Sequence, residues 1–208
     1  MHILLTDLLT CPRCGPGFGL ILLGDRIENR RVLEGVLGCP NCRERYPVRK
    51  GFGDLRAPPR SSLPAVLPPA PADDEETVTR VAALLGVREG PGYLVLAGPV
   101  ARAAPALAGL LERVEVVTMA PELREWKEEE GVSRLTASPG LPFQSRRIRG
   151  VFLDGPSGAS FLEEAVRVVG PGGRIVVRGG EGGGRKTLEE GGLEVLVEEE
   201  ETVVAVRS

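Results

Sequence analysis

Hydrophobic positions in the second two-thirds of the chain switch repeatedly between two periods. Short apolar runs at Tyr93–Ala97, Val114–Thr118, Val151–Asp154 and Arg174–Arg178 are separated by stretches with helical spacing at Ala103–Leu111, Pro121–Glu130 and Ala159–Val169. Buried strands alternating with helices predict a parallel, doubly wound sheet covered on both faces. A weaker strand is expected near Val132–Thr136, and the turn Gly170-Pro171-Gly172-Gly173 separates the last of these helices from its strand. The final apolar runs, Leu193–Glu198 and Thr202–Val206, lie too close together for a helical crossover, so they predict a C-terminal antiparallel hairpin at one sheet edge. Ahead of the first of these strands, the stripe Val78, Val81, Ala82 and Leu85 predicts a helix. Asp73-Asp74-Glu75-Glu76 opens it, with acids suited to a helix N-terminus and Asp73 with Glu76 as a capping pair.

The beginning of the chain reads differently. Leu20–Leu23 and Val32–Leu37 are strand-like runs on either side of a polar turn, Gly24–Asn29. Between the two patterns, Ala57–Ala72 carries six prolines in sixteen residues, a density that excludes helix and sheet and favours a stiff, extended connector. Three segments follow: a small β module at 1–56, a Pro-rich linker at 57–72 and an α/β body at 73–208. A module of this size usually needs a metal or a similar staple. The full 208 residues, 42 % hydrophobic, suffice for a substantial core, and no apolar run approaches the ~20 residues of a membrane-spanning helix.

The net charge of −3 argues against a general nucleic-acid binder, but it is unevenly spread. Residues 1–56 carry +3 and the remainder −6, so a weakly basic module sits on an acidic body. Arg26, Arg30, Arg31, Arg43, Arg45 and Arg49 are the residues that a nucleic-acid contact would use. The one histidine, His2, is expected to be a frayed end, which removes histidine-based acid/base chemistry from consideration.

All four cysteines fall in two identical brackets, Cys11-Pro12-Arg13-Cys14 and Cys39-Pro40-Asn41-Cys42. Two Cys-x-x-Cys turns at this separation match a structural zinc site, and four thiolates leave no coordination position for water or substrate. The expected cofactor is therefore one structural Zn²⁺ held by Cys11, Cys14, Cys39 and Cys42. Disulfides would require an oxidising compartment, whereas MHILLTDLLT lacks the basic start and cleavage site of a secretory signal, so a cytoplasmic location is expected. A thioredoxin-like pair would call for one such bracket, opening a helix after a strand.

Further residues add a resemblance. Leu8-Leu9-Thr10-Cys11-Pro12-Arg13-Cys14, Gly38-Cys39-Pro40-Asn41-Cys42 and Tyr46-Pro47-Val48 with Gly51 resemble the small zinc-ribbon platform protein that activates tRNA, rRNA and release-factor methyltransferases. Phe52-Gly53-Asp54 departs from that family's usual ending. The resemblance implies pairing with a methyltransferase by addition to its sheet. The body, from Glu75 to Arg207, resembles the class I S-adenosylmethionine-dependent methyltransferase fold through Leu141-Pro142-Phe143 and through Leu162 to Arg174 with its Pro-Gly-Gly turn. The expected fold class is α/β: a zinc-ribbon β domain plus a Rossmann-like, doubly wound sheet with a terminal hairpin.

The residues that would hold the methyl donor in that family are changed. Its glycine-rich loop falls on Ala97-Gly98-Pro99-Val100-Ala101-Arg102, where only Gly98 is kept. Its ribose-binding acid falls on Thr118, and its adenine-contacting aspartate on Ala137 or Ser138. S-adenosylmethionine is therefore not expected to bind, and no catalytic residue is assigned. The leading expectation is a non-catalytic, zinc-containing scaffold or regulatory protein that engages a protein partner, such as a methyltransferase or an RNA-bound assembly. Homo-oligomers and weak RNA contacts remain open. The alternatives are an active methyltransferase with a divergent donor site and a nucleic-acid-binding zinc ribbon. Gly179 to Thr187 imitates a phosphate-binding loop, but Arg185 stands where its glycine is required. Asp154 with Ser157 at a strand end reads as a capped turn ahead of a residual site, Glu198 to Glu201 as a charged hairpin turn, and Trp126 as a core anchor ahead of a partner contact.

Overall fold

The computed structural model describes residues 1–68, 75–179 and 184–208. The first module comprises β1 (Thr10–Cys11), β2 (Gly15–Gly19), β3 (Ile21–Glu28), β4 (Arg31–Gly38), β5 (Arg45–Arg49) and β6 (Phe52–Arg56). The body continues with α1 (Glu75–Leu85), β7 (Gly92–Ala97), α2 (Ala104–Leu110), β8 (Val114–Met119), β9 (Val132–Ser138), β10 (Ile148–Asp154), α3 (Gly155–Ala159), α4 (Leu162–Val168), β11 (Val169–Arg178), α5 (Arg185–Glu190), β12 (Leu193–Glu199) and β13 (Thr202–Arg207).

Eleven of these strands form one sheet in the order β12-β13-β11-β10-β7-β8-β9-β6-β5-β4-β3. With β7 counted as the body's first strand, β9-β8-β7-β10-β11 is the 3-2-1-4-5 order of a Rossmann-like sheet, all parallel. The terminal hairpin forms as expected, and its second strand, β13, lies against β11 while β12 takes the edge. At the other side β6 pairs in parallel with β9 along Phe52↔Arg134 to Arg56↔Ser138, so the ribbon extends the body's sheet within the same chain.

Alternation along each strand feeds two cores. Leu94, Leu96, Val116, Phe152 and Val176 face the stripe Val78, Val81, Ala82 and Leu85 of α1 and Leu107 of α2. Val95, Val117, Met119, Leu135, Leu153 and Ile175 face the opposite way and share one core with Leu5, Leu9, Leu55 and Phe143, and with Val168 of α4 and Leu188 of α5. The connection from β9 to β10 contains no helix, so part of this second face would lie open. The 3₁₀ segment Ile3–Leu8 and the residues after it close it: Leu9 bridges Phe143, Thr10 N–H donates to the Pro142 carbonyl (2.8 Å), and Gln144 N–H donates to the Leu8 carbonyl (2.9 Å). The beginning of the chain thus supplies a layer that the body lacks. Burial of Leu5 and Leu9 alone is worth roughly 3–6 kcal/mol of apolar transfer free energy.

Two sequence expectations fail at this seam. The helix predicted over Pro121–Glu130 is only a 3₁₀ turn, Pro121–Leu123. Its sole fully buried apolar residue is Leu123, and Glu128, Glu129 and Glu130 would crowd negative charge at a helix C-terminus. The coil is held by Arg134 of β9, which donates to the carbonyls of Leu123, Arg124 and Trp126, to Lys50 O across the seam (2.7 Å) and to Glu128 (2.8 Å). His2 is likewise not frayed. Its N–H donates to Ser133 Oγ (2.8 Å), it bridges Arg31, and burial lowers its imidazole pKa. Arg31 completes the seam by pairing with Glu115 (2.7 Å) and Glu128 (3.2 Å). Gly51, at φ +71° in the β5–β6 turn, sits so close to the Glu128 carboxylate that a Cβ would collide with it.

Candidate metal centre and the strand-end rim

Cys11 closes β1 and Cys14 lies in the turn into β2, while Cys39 follows β4 and Cys42 lies in the turn into β5. Each Cys-Pro-x-Cys bracket is a knuckle, and the pairing of β3 with β4 brings the two knuckles face to face. The four Sγ atoms lie within 4.8 Å of one another, with Cys11–Cys42 at 3.7 Å and Cys14–Cys39 at 3.8 Å. Four sulfurs around Zn²⁺ at ~2.3 Å would be ~3.8 Å apart, so the donor set and spacing fit a tetrahedral metal. Cys11 and Cys39 are buried and the other two are half-buried.

Neighbouring groups orient the sulfurs. The Tyr46 hydroxyl lies 3.3 Å from Cys11 Sγ, and Asn41 Nδ2 donates to Cys14 Sγ (3.3 Å). Burial, and then the hydrogen bond to Cys11, push the Tyr46 phenol well above its ordinary pKa. Cys39 N–H donates to the Glu44 carbonyl (3.0 Å), so closure of the second knuckle also places residues 44–46. The Tyr46 contribution is legible in the sequence only as part of the Tyr-Pro-aliphatic step; nothing in the spacing reveals that its hydroxyl reaches a sulfur.

In the middle of the sheet the strand order reverses between β7 and β10, and α/β folds usually take their ligands at the carboxyl ends of the strands at such a point. Here Gly98 (φ +86°) packs so tightly on Asp154 that a Cβ would strike its carbonyl oxygen. Both Asp154 carboxylate oxygens accept from Arg178, at 2.8 and 2.7 Å, and the guanidinium lies over the Phe152 ring. Val100 is buried and Arg102 half-buried. Thr118 is 1 % exposed, and its buried hydroxyl has no hydrogen-bond partner among the described residues. Ala137 is buried, and the Ser138 carbonyl accepts from Ala57 N–H (2.7 Å) where the Pro-rich segment begins.

That segment, described to residue 68, forms neither helix nor strand, as expected. It runs along the rim, with Leu67 N–H on the Glu122 carbonyl (3.0 Å), Trp126 Nε1–H on the Leu67 carbonyl (3.0 Å) and Arg124 on the Pro64 carbonyl (2.7 Å). Trp126 is thus an internal anchor, partly buried against the α1–α2 core. Of the arginines proposed for nucleic acid, Arg31 is committed to the seam and Arg26 lies 3.4 Å from Glu28, while Arg30, Arg43, Arg45 and Arg49 are exposed. The capping pair at Asp73 and the glycines at 180–183 lie outside the described residues. Arg185 pairs with Glu189 and Glu198, and Lys186 with Glu190. Among the described residues no helix is long and apolar enough to cross a membrane.

Residues 2–51 match the family model for Trm112p-like proteins. No curated protein gave a match. Among solved structures, a chain from the complex between the Haloferax volcanii Trm112 methyltransferase activator and its candidate methyltransferase is similar over 62 % of this chain and 88 % of that one, at 16 % identity and TM-score 0.48. A candidate S-adenosyl-L-methionine-dependent methyltransferase from Methanococcus maripaludis is similar over 64 % of this chain and 83 % of that one (13 % identity, TM-score 0.46). A predicted O-methyltransferase from Agrobacterium tumefaciens is similar over 62 % and 79 % (16 % identity, TM-score 0.45). The chain thus joins a segment similar to Trm112p-like proteins, residues 2–51, to a body with a Rossmann-like sheet order.

Proposed function

We propose that the chain is a non-catalytic scaffold in which a structural Zn²⁺, bound by Cys11, Cys14, Cys39 and Cys42, holds a ribbon that completes a methyltransferase-like body. The observation that carries this reading is the state of the rim. Asp154, the carboxylate at the switch point, is spent on Arg178, and the position of the ribose-binding acid is a buried threonine without a partner. The residues present do not fit the methyl donor: no carboxylate stands at Thr118 or Ala137, and Gly98 is packed on Asp154 backbone. Hydrogen bonds to charged groups are worth ~1.5–3 kcal/mol each, so loss of two such contacts removes much of a micromolar affinity.

A scaffold acts through a surface, and the paired edge of β6 is already used within the chain. Phe18, Ile21 and Leu23 remain exposed on the ribbon, and a cytoplasmic protein partner engaging the ribbon would cover them. Calorimetric titration of the zinc-loaded protein with S-adenosylmethionine and its demethylated product tests the reading. No heat at millimolar ligand is expected. A micromolar Kd would overturn it and favour an active methyltransferase with a divergent donor site.

A further inference from the structure

The metal centre and the Pro-rich segment are joined by two side chains. Tyr46 touches Cys11 with its hydroxyl and carries the Arg60 guanidinium over its ring, 5.6 Å from the centroid. Arg60 lies inside the Pro-rich segment and donates from NH2 to Glu44 (2.9 Å) and to the Arg45 carbonyl (3.2 Å), and from Nε to the Arg56 carbonyl (2.8 Å). Arg56 in turn donates to the Ser61 carbonyl (2.5 Å) and grips Asp54 with two bonds. Three consecutive residues of the second knuckle, 44 to 46, therefore hold the near end of a strap whose far end is fixed by Arg124, Trp126 and Glu122.

We propose that Tyr46 and Arg60 couple occupancy of the four-cysteine centre to docking of residues 57–68 along the strand-end rim. Without the metal, four sulfurs at van der Waals distance have nothing to hold them together, and the knuckle that places Glu44, Arg45 and Tyr46 loosens. Arg60 then loses its carboxylate, its carbonyl and its ring at once. Within residues 58–68 only Leu63 and Leu67 are even half-buried, so little apolar burial keeps the segment in place. Tyr46 is a positioning residue for Cys11, and Arg60 transmits the order of the knuckle to the strap. Coupling between two sites is reciprocal, so freeing the strap must weaken the hold on the metal by the same factor that metal removal loosens the strap.

The chain contains a single tryptophan, Trp126, which bonds the strap and reports on it directly. The experiment compares full-length, zinc-loaded wild type with Arg60→Ala, Tyr46→Phe and Trp126→Phe, and wild type before and after metal removal by chelator. Thermolysin cleavage within residues 61–68 and Trp126 quenching read the strap, and the rate of zinc release to a chromogenic chelator reads the centre. In Arg60→Ala, cleavage and zinc release are both expected to rise about tenfold with the zinc stoichiometry intact. Tyr46→Phe should likewise speed zinc release about tenfold. Trp126→Phe, which frees only the far end, should speed cleavage and leave zinc release within about twofold of wild type. Equal cleavage of metal-loaded and metal-free protein would overturn the proposal, as would an Arg60→Ala protein that matches wild type in both readouts. If the metal-free protein unfolds throughout, the metal-loaded Arg60→Ala protein decides the matter alone.

Discussion

Two regions of the molecule where turns gather polar groups, the knuckles and the strand-end rim, treat those groups in opposite ways. At the knuckles, four sulfurs converge at ion-binding spacing, and the nearest side chains, Tyr46 and Asn41, orient them. At the strand-end rim, the polar groups are spent on one another: Asp154 on Arg178, Asp54 on Arg56, and the Ser138 carbonyl on the strap. A binding site keeps donors in excess of its internal partners, whereas a structural element uses them up. By this measure the ribbon has the chemistry of a site and the rim that of a closed surface.

Breaking the first side of the comparison should have the largest effect. Cys39→Ser removes a buried sulfur of the proposed zinc centre, and structural zinc supplies on the order of 10 kcal/mol of folding free energy in small metal domains. Because Leu5 and Leu9 pack in the same core as β7 and β8, the loss should spread to the body. We expect a melting temperature about 10 °C or more below wild type, measured calorimetrically, with less than one zinc per chain by elemental analysis. A ribbon that melted while the body kept its wild-type transition would show that the seam carries little energy.

The seam itself comes next. Arg134→Met leaves the carbonyls of Lys50, Arg124 and Trp126 without their Arg134 donor and removes one of three partners of Glu128, which keeps Arg31 and the Met1 amine. Stranding buried carbonyls costs about 1–3 kcal/mol each, to be read from urea denaturation. The rim should respond in the opposite sense. Thr118→Val is nearly isosteric and removes a buried hydroxyl that has no partner, so it should be neutral or stabilising by ~1 kcal/mol. A destabilised Thr118→Val protein would mean that the hydroxyl serves a role at the rim that the closed-surface view denies it.

Much of this was legible in the sequence, and the failures share a cause. The strands of the body, the stripe of α1, the terminal hairpin and the clustering of the four cysteines all follow from local patterns: period, turn residues and cysteine spacing. The seam does not, because its parts are distant in the chain. Nothing near Glu122–Glu130 reveals that Arg134 will gather its carbonyls and hold it out of a helix, and nothing near His2 shows that Ser133 awaits its N–H. The rim was readable as a changed glycine-rich loop at Ala97–Arg102 and as missing carboxylates at Thr118 and at Ala137 or Ser138. That Asp154 is neutralised by Arg178 depends on the register of β10 with β11, which places Asp154 beside Arg178.

The smallest effect sharpens the comparison at the seam through pH. Burial alone would raise the Glu128 carboxyl, but the Met1 amine, Arg134 and Arg31 outweigh it and hold the group below its ordinary value of 4.5. A carboxyl depressed in the folded state contributes stability that is fully present above that ordinary value and fades as pH falls through the depressed one. Zinc affinity of four-cysteine centres falls in acid, so the pH dependence of wild type alone would mix two causes if read without a control. Glu128→Gln separates them, because both proteins share the same four cysteines. The stability difference between them should widen slightly as the Met1 amine beside Glu128, lowered by burial to about 5, gains its proton, and then shrink below pH 4.5 as Glu128 itself is protonated. A difference that stayed level to pH 3 would mean that Glu128 holds Arg31, Arg134 and the Gly51 turn by shape and hydrogen bonding, with its charge contributing nothing to the seam.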